Sequence, residues 1–318
     1  TMEQMVLIAE KLRAQGFRGY VHLKTIPDAS PELIERAGLA ADRLSITSTA
    51  LNRRVLALEE ELGVPIFERL PRGVRLNTAG ELLIAHIRAQ ISDFEKLKSQ
   101  LSDLAGERRG HVAIACSQAL LPYFLPQRIS AYRRAHPAVT FGVAVRDRQA
   151  AEQALVDLSS DIALVFEPVR MREIQVLIAV RQQIHAVMAS DHPLAERATV
   201  RLHDCAAFPV GLPAQHYGVR HLIDMALVRS SVDLSVALEA DSFEFLRHYP
   251  AQEHLVSFQI PVGLPMSGDQ DDIVSRPVDT RDIPEGTLYL CQLRGRTLPV
   301  AAAKFAADLE RVLEELYA

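Results

Sequence analysis

The stretch that decides the fold is TSTALNRRVLALEEELGVPIFERLPRGVRLNTAG, residues 47–80. Thr47 can cap a helix because its hydroxyl can accept a first-turn N–H, and Gly63 suits the left-handed turn that ends a helix. Between these two residues, apolar side chains recur at helical spacing and give one apolar stripe. The stripe consists of Ala50, Leu51, Val55, Leu58 and Leu62.

A two-stranded wing is predicted directly behind this helix. Residues 64–77, VPIFERLPRGVRLN, contain a short apolar stretch, a Pro-Arg-Gly turn and an alternating strand at Val74–Leu76. A helix that begins with small polar residues and arginines, followed by a basic wing, fits the major groove of DNA. A helix and hairpin of an ordinary domain have the same spacing, so the pattern alone leaves both interpretations open.

This stretch resembles the DNA-binding domain of LysR-type transcriptional regulators. The motifs L-x-R-R-V-x-x-L-E-x-x-L-G-x-x-I-F-x-R and R-G-V-R-L-x-x-A-G carry the resemblance, which extends over about residues 40–318. Ser48 and Asn52 depart from it, because they stand where proline and serine are common in the family. The resemblance implies contacts from the helix to bases or phosphates and from the wing to phosphates. The implied DNA-binding residues are Thr47, Ser48, Thr49, Asn52, Arg53, Arg54, Arg69, Arg72 and Arg75.

Residues 1–39 do not match the start of that family. The pattern predicts a helix at Glu3–Gln15, a strand at Tyr20–Ile26 and a second helix from Ser30, an order typical of an α/β barrel. FRGYVHLKTIPDASPELIERAGLAADRLS resembles a segment of a radical-SAM family for DNA modification or repair, which predicts a chimeric N-terminus joined near residues 40–45. Radical-SAM chemistry needs three closely spaced cysteines, and the sequence has no such set. Residues 1–39 are therefore interpreted as an inert appendage or as a substitute for the missing first helix.

A long helix is predicted over residues 78–106, with Thr78 and Glu81 as its capping box and Gly106 at its end. One nearly heptad seam runs along it, and a single seam on so long a helix favours pairing between subunits over packing on its own domain. In LysR-type regulators this helix links the domains and pairs subunits, which implies a homodimer or homotetramer. The seam residues are Ile84, Ile87, Ile91, Phe94, Leu97, Leu101 and Leu104.

Strands and helices alternate over residues 110–318, which predicts a two-lobed α/β domain. The chain is expected to cross between the lobes near Glu167–Arg172 and Gly263–Ser275. LysR-type effector domains have this architecture and resemble periplasmic binding proteins. The predicted lobes are 110–168 with 272–318, and 169–271.

The predicted fold class is therefore mixed α+β and α/β. It consists of a winged helix-turn-helix at 40–77 whose first helix is replaced, a long linker helix, and a two-lobed effector-binding domain that is periplasmic-binding-protein-like.

A ligand is expected between the lobes, because open α/β sheets bind ligands beyond the carboxyl ends of their strands. Ser117 follows the first strand and opens a helix, where a hydroxyl beside free N–H groups suits a carboxylate; a simple helix cap explains the same residue. Ser242 has the same two interpretations, and His216, Tyr217 and Arg220 either bind an anion or are solvated. The predicted effector-binding residues are Ser117, Gln118, Phe166, His216, Ser242, Phe243, Phe258 and Ile260.

Bulk properties limit the other classes of function. The net charge is −5, so binding to DNA would depend on where the arginines are placed rather than on overall charge. No signal peptide or long apolar run is present, which predicts a cytoplasmic protein without membrane contact. The three dispersed cysteines and the histidines show neither metal-ligand spacing nor a nucleophile motif. No catalytic residue, metal or cofactor is therefore predicted.

Together these patterns predict a LysR-type regulator that binds double-stranded promoter DNA and a small anionic effector, with a carboxylate as the example. One alternative is a small-molecule-binding module whose DNA binding is impaired because the N-terminal helix is replaced. A more remote one is a nucleic-acid-modifying enzyme. The sequence does not specify the operator, the effector, or activation versus repression.

Overall fold

The computed structural model describes residues 47–70, 73–104, 110–169, 172–265 and 272–317. The chain divides into two compact units, Thr1–Phe94 and Glu95–Ala318. The predicted helices and strand of residues 1–39, and the replacement of the first DNA-binding helix, lie outside the described residues.

The helix and wing predicted around residues 47–80 are confirmed. The Thr47 hydroxyl accepts the Ala50 N–H at 3.2 Å, and Gly63 ends the helix in a left-handed conformation with φ 69°. The two strands of the wing are antiparallel, with Phe67 opposite Leu76. The elements are α1 (Ser48–Leu62), β1 (Phe67–Leu70), β2 (Gly73–Leu76) and α2 (Thr78–Leu104).

The small core of this unit lies where α1, the wing and α2 meet. Leu58, Ile66 and Ile84 are buried together. The Glu59 carboxylate accepts the backbone N–H groups of Ile66 and Phe67, at 2.7 and 3.2 Å, and so ties the end of α1 to the start of β1.

The first residue of α2 is Thr78, but its cap is Asn77. The Asn77 Oδ1 accepts the Gly80 N–H at 2.9 Å, while its amide nitrogen donates to the Pro65 carbonyl at 2.8 Å. The predicted capping box of Thr78 and Glu81 is therefore wrong, because the side chain one residue earlier satisfies the free first-turn N–H.

The second unit consists of two five-stranded sheets with helices on their faces. The strands are β3 (Gly110–Cys116), β4 (Val139–Val145), β5 (Ile162–Phe166), β6 (Ile174–Gln182), β7 (His185–Ala189), β8 (Val210–Pro213), β9 (Val236–Ala240), β10 (Val256–Gln259), β11 (Ile273–Pro277) and β12 (Gly286–Leu293). The helices are α3 (Phe124–Ala135), α4 (Arg148–Val156), α5 (Leu202–Cys205), α6 (Gly218–Arg229), α7 (Phe243–His248) and α8 (Val300–Tyr317). Short 3₁₀ turns lie at Gln118–Leu120, Tyr249–Ala251 and Pro261–Gly263.

The two sheets define two lobes. The first lobe has the strand order β4-β3-β5-β12-β6, with β3 parallel to both of its neighbours and β12 antiparallel to both of its own. The second lobe has the order β11-β7-β10-β8-β9, in which β8 is parallel to β9 and β10. A large buried apolar cluster includes residues of both lobes. The two-lobed α/β prediction is confirmed.

The predicted positions of the crossings between the lobes are wrong. Strand β6 belongs to the first lobe, because it pairs with β12 from Ile174 opposite Leu293 to Gln182 opposite Gly286. Strand β11 belongs to the second lobe, because it pairs with β7. The crossings are therefore residues 183–184 and 278–285. They are joined to each other, since the Val278 N–H donates to the Ile184 carbonyl at 2.8 Å.

Candidate effector cleft and DNA-binding surface

The predicted DNA-binding residues of α1 lie at its first two turns. Thr47 is the cap residue and Thr49 is exposed, whereas Asn52 and Arg53 are half-buried. Arg54 is exposed and available to a phosphate. The side chain of Ser48 lies outside the described ones.

Arg75 is the described arginine of the wing, and it is paired. Its Nε lies 2.8 Å from the Glu68 carboxylate, and both side chains are largely exposed. The hydrogen bond to Glu68 raises the pKa of Arg75. Arg75 therefore keeps its charge, but a phosphate would compete with Glu68 for it. The side chains of Arg69 and Arg72 lie outside the described ones.

Four of the predicted effector residues line one small cavity of about 10 Å³ at the ends of the strands, called here the cleft cavity. Ser117 follows β3, Phe166 ends β5, Phe243 begins α7 and Ile260 follows β10. Strand ends from both lobes thus meet where open α/β sheets bind ligands. The complete lining is Ser117, Ala119, Arg146, Asp147, Arg148, Ala151, Leu164, Val165, Phe166, Tyr217, Gly218, Val219, Phe243 and Ile260.

Two roles are predicted for Ser117, a helix cap and a ligand contact. Its hydroxyl forms no capping hydrogen bond with the 3₁₀ turn that follows, although its backbone N–H donates to the Leu164 carbonyl at 3.2 Å. The hydroxyl is therefore not committed to a helix cap and is available to a ligand.

The lobes are closed on each other around this cavity. The Gln118 Oε1 accepts the backbone N–H of Phe243 at 2.6 Å. A Cβ at Gly218 would lie 2.6 Å from the Phe166 carbonyl oxygen, so only glycine permits this approach. The Arg247 guanidinium stacks over the Tyr123 ring at 5.2 Å. These contacts explain why so little space remains between the lobes.

The remaining predicted effector residues do not line the cleft cavity. Phe258 is fully buried in the second lobe, where all four residues of β10 are enclosed. Ser242 caps α7 by accepting the Phe245 N–H at 3.2 Å. His216 is exposed, and its Nε2 lies 3.0 Å from the Asp241 carboxylate. Gln118 takes part in the contact between the lobes instead.

The prediction missed three polar residues of the cavity, namely Arg146, Asp147 and Arg148. The sequence R-D-R directly follows β4, the strand beside β3, which was the available signal for all three. Tyr217 precedes the first residue of α6, and burial, followed by the hydrogen bond and charge of Asp241, raises its pKa to about 12. Tyr217 is therefore a neutral hydrogen-bonding group at physiological pH.

The three cysteine thiols of this unit have low reactivity. Cys116, Cys205 and Cys291 are buried, and burial raises the pKa of each thiol to about 12. Since the thiolate is the nucleophile, these groups are poorly reactive. Within the part of the chain that the structure describes, no cluster of ligands could hold a metal ion and no helix is long and apolar enough to cross a membrane.

Comparisons with known proteins agree with this architecture. Residues 105–314 match the family described as "LysR substrate binding domain", and residues 36–81 match "Bacterial regulatory helix-turn-helix protein, lysR family". The HTH-type transcriptional regulator CysB of Burkholderia cenocepacia is 26% identical over 252 residues, which cover 79% of this chain and 78% of CysB.

Solved structures show the same fold. A full-length variant of OxyR from Pseudomonas aeruginosa has a TM-score of 0.63 at 18% identity, covering 100% of this chain and 95% of that one. The effector-binding domain of QuiR in complex with shikimate has a TM-score of 0.56 at 16% identity, covering 66% of this chain and all of that domain. The resemblance of the N-terminal residues to a radical-SAM segment finds no support in these comparisons. With two thirds of its length matched by the substrate-binding pattern and a helix-turn-helix before it, the chain belongs to the LysR family of bacterial transcriptional regulators.

Proposed function

We propose that this LysR-family regulator reads promoter DNA with α1 and the wing, and that a small anion in the cleft cavity controls it. The observation that carries the effector part is the convergence of Ser117, Phe166, Phe243 and Ile260 on one cavity between two lobes. QuiR, whose effector-binding domain was solved with the carboxylate shikimate, supports the expected class of ligand.

The DNA-binding part rests on the exposed Arg54 and Arg75 and on the half-buried Asn52 and Arg53. Contacts to phosphates position a protein on DNA, and contacts to bases give specificity. Ser48, Arg69 and Arg72 belong to this proposal through their places in α1, the wing strand and the turn.

The proposed division of labour is DNA binding at residues 40–77, subunit pairing at 78–106 and effector binding at 110–318. The protein is not proposed to be an enzyme, and the bacterial cytoplasm is where it would meet promoter DNA. A radical-SAM origin of residues 1–39 stays a prediction without support.

One alternative function is supported by a specific observation, namely a small-molecule-binding module with impaired DNA binding. The match to the helix-turn-helix pattern begins only at residue 36, which is the observation that favours it.

Titrating DNA into the full-length protein separates the two functions. The duplex upstream of its own gene and a random duplex of equal length would be compared at two salt concentrations by fluorescence anisotropy. A regulator should prefer the upstream duplex by a factor of order 10³ or more, whereas an impaired module should bind both equally. Arg54→Gln should weaken binding to both duplexes and lower the slope of log Kd against log salt by about 1. Glu68→Gln should strengthen both, because Arg75 then has no competing carboxylate.

A further inference from the structure

Arg148 is a cation inside the effector-binding domain that no described residue neutralises by direct contact. It is the first residue of α4, it lines the cleft cavity, and it is only partly exposed. Within the described residues its guanidinium forms no hydrogen bond or ion pair. A guanidinium has five donors, so such a group lacks the oxygen partners that it usually finds.

One oxygen of each nearby carboxylate accepts a backbone N–H. The Asp147 Oδ1 accepts the Ala150 N–H and the Glu167 Oε1 accepts the Thr287 N–H, each at 2.7 Å. The Glu152 Oε1 accepts the Val169 N–H at 2.5 Å. These acids attract Arg148 at longer range, and one oxygen of each is held in place by a backbone donor. Asp147 and Glu167 thus hold α4 and β12 through the backbone, and their charges offset part of the charge of Arg148 without direct contact.

Burial acts on Arg148 more strongly than these charges do. Burial lowers the pKa of Arg148 below its usual range, although Glu167, Glu152 and Asp147 all act to raise it. A cation that is partly withdrawn from water without hydrogen-bond partners is unfavourable. An incoming ligand oxygen with a negative charge would remove that penalty, and planar carboxylates match the guanidinium fork best.

The other residues that line the cleft cavity indicate the chemistry of the part of the ligand that does not contact Arg148. Leu164, Phe166, Phe243 and Ile260 give an apolar wall, while the Ser117 hydroxyl offers one uncommitted hydrogen-bonding group. We propose that Arg148 is the anion-binding residue of the cleft cavity and that its ligand is a small carboxylate with a short apolar body. This inference rests on the proposed effector function of the same cavity.

The size of the cavity adds a condition. About 10 Å³ is room for no more than about one water molecule, so a carboxylate with a carbon body fits only after the lobes separate. Arg148 belongs to the first lobe, and Tyr217 and Phe243 face it from the second. Binding at Arg148 therefore requires a more open domain than the closed one described here.

The test uses the full-length protein with sodium benzoate as the probe and benzamide as its neutral counterpart, at matched ionic strength. Melting temperature is measured against probe concentration, because a ligand that binds only the folded state raises it by mass action. Benzoate should raise the melting temperature and benzamide should not. Arg148→Gln should increase the apparent Kd for benzoate about tenfold or more, as expected for a lost charged hydrogen bond. Arg148→Lys should fall between the two, because lysine keeps the charge without the fork.

Two further variants exclude general charge effects and misfolding. Arg133→Gln removes an exposed arginine of the same lobe and should leave the benzoate response intact. Arg146→Gln removes a neighbouring exposed arginine that donates to the Val145 carbonyl at 3.0 Å. Equal losses for Arg146→Gln and Arg148→Gln would overturn the assignment in favour of a diffuse positive field. If Arg148→Gln lowers the melting temperature without ligand, the Arg148→Lys series decides the question.

The outcomes separate this inference from the proposed function. An unchanged benzoate response in both Arg148 variants overturns the role of Arg148 and leaves the effector cleft standing. Equal responses to benzoate and benzamide, or none to either, overturn the carboxylate class. In each case preference for the upstream duplex still decides, by itself, whether the protein is a regulator.

Discussion

The side-chain oxygen of Gln118 in the first lobe accepts a hydrogen bond from the backbone N–H of Phe243 in the second, at 2.6 Å. The Ser242 hydroxyl accepts a hydrogen bond from the Phe245 N–H of the same helix. Two of the free first-turn donors of α7 are thus satisfied, one from within its own lobe and one from across the cleft. That second bond contributes to the closed arrangement of the lobes, because it must break when they separate.

Replacing Gln118 with alanine should loosen this closure. We expect the free energy of unfolding to fall by about 1 kcal/mol, a typical value for one lost hydrogen bond. The amide of Phe243 should exchange its hydrogen with solvent faster, as followed by mass spectrometry. Gln118→Glu is the matched control, since its carboxylate can accept the same bond. Unchanged exchange in Gln118→Ala would show that packing at Gly218 holds the lobes without it.

The cap of α2 can be tested by two neighbouring substitutions. Asn77→Ala should lower the stability of the DNA-binding unit by about 1 kcal/mol, the usual cost of removing a good N-cap, and it also removes the bond to Pro65. Thr78→Ala, at the exposed next position, should have little effect. Urea unfolding followed by circular dichroism measures both. A larger loss for Thr78→Ala would restore the capping box that the sequence suggested.

Subunit pairing through α2 is the third prediction. Leu97 and Leu101 lie one turn apart and are 48% and 56% exposed, which is unfavourable for leucine on an isolated helix. Leu97→Glu and Leu101→Glu should each dissociate the oligomer, because a charge would enter its apolar seam. Ala85→Glu is the control, since it lies about 120–160° around the helix from both at 100° per residue. Light scattering that shows the same mass for all three variants would mean that the helix does not pair.

The cysteines should not respond to mild oxidants or thiol reagents in the folded protein. Burial raises the pKa of Cys116, Cys205 and Cys291 to about 12, so hardly any thiolate exists at pH 8. Labelling with a chromogenic disulfide should therefore be slow in buffer and complete in urea. Labelling should accelerate only if the pH approaches 12 or the protein unfolds. Fast labelling of even one thiol at pH 8 would indicate an opening that exposes it.

Local signals predicted α1 and the wing correctly. Thr47 and Gly63 marked both ends of α1, and the alternation of Val74–Leu76 marked a wing strand, because caps and strand periodicity depend on nearby residues. The cap of α2 was placed one residue late, because Asn77 and Thr78 are both good cap residues and only the three-dimensional path chooses between them.

Long-range pairing could not be predicted in the same way. The strands β6 and β11 were expected as strands, but nothing in their sequences says which sheet they join, since that is set by β12 and β7 far along the chain. The cleft cavity was half predicted for a similar reason. Ser117 and Phe166 follow from the rule about strand ends, whereas Arg148 and Tyr217 reach it from helix starts. Phe258 is apolar and lies two residues before Ile260, which lines the cavity, yet the side chain of Phe258 is buried inside the second lobe.

The position of β12 between β5 and β6 has a consequence for how the chain folds while the ribosome synthesises it. Strand β6 is an edge strand whose ladder partner is β12, so its backbone groups stay unpaired until residue 293 has been synthesised. The second lobe, complete with β11 at residue 277, can form its sheet earlier. The first lobe is thus the first to be synthesised in part and the last to be completed. A nascent chain that stalls between β11 and β12 exposes the unpaired edge of β6 to other chains.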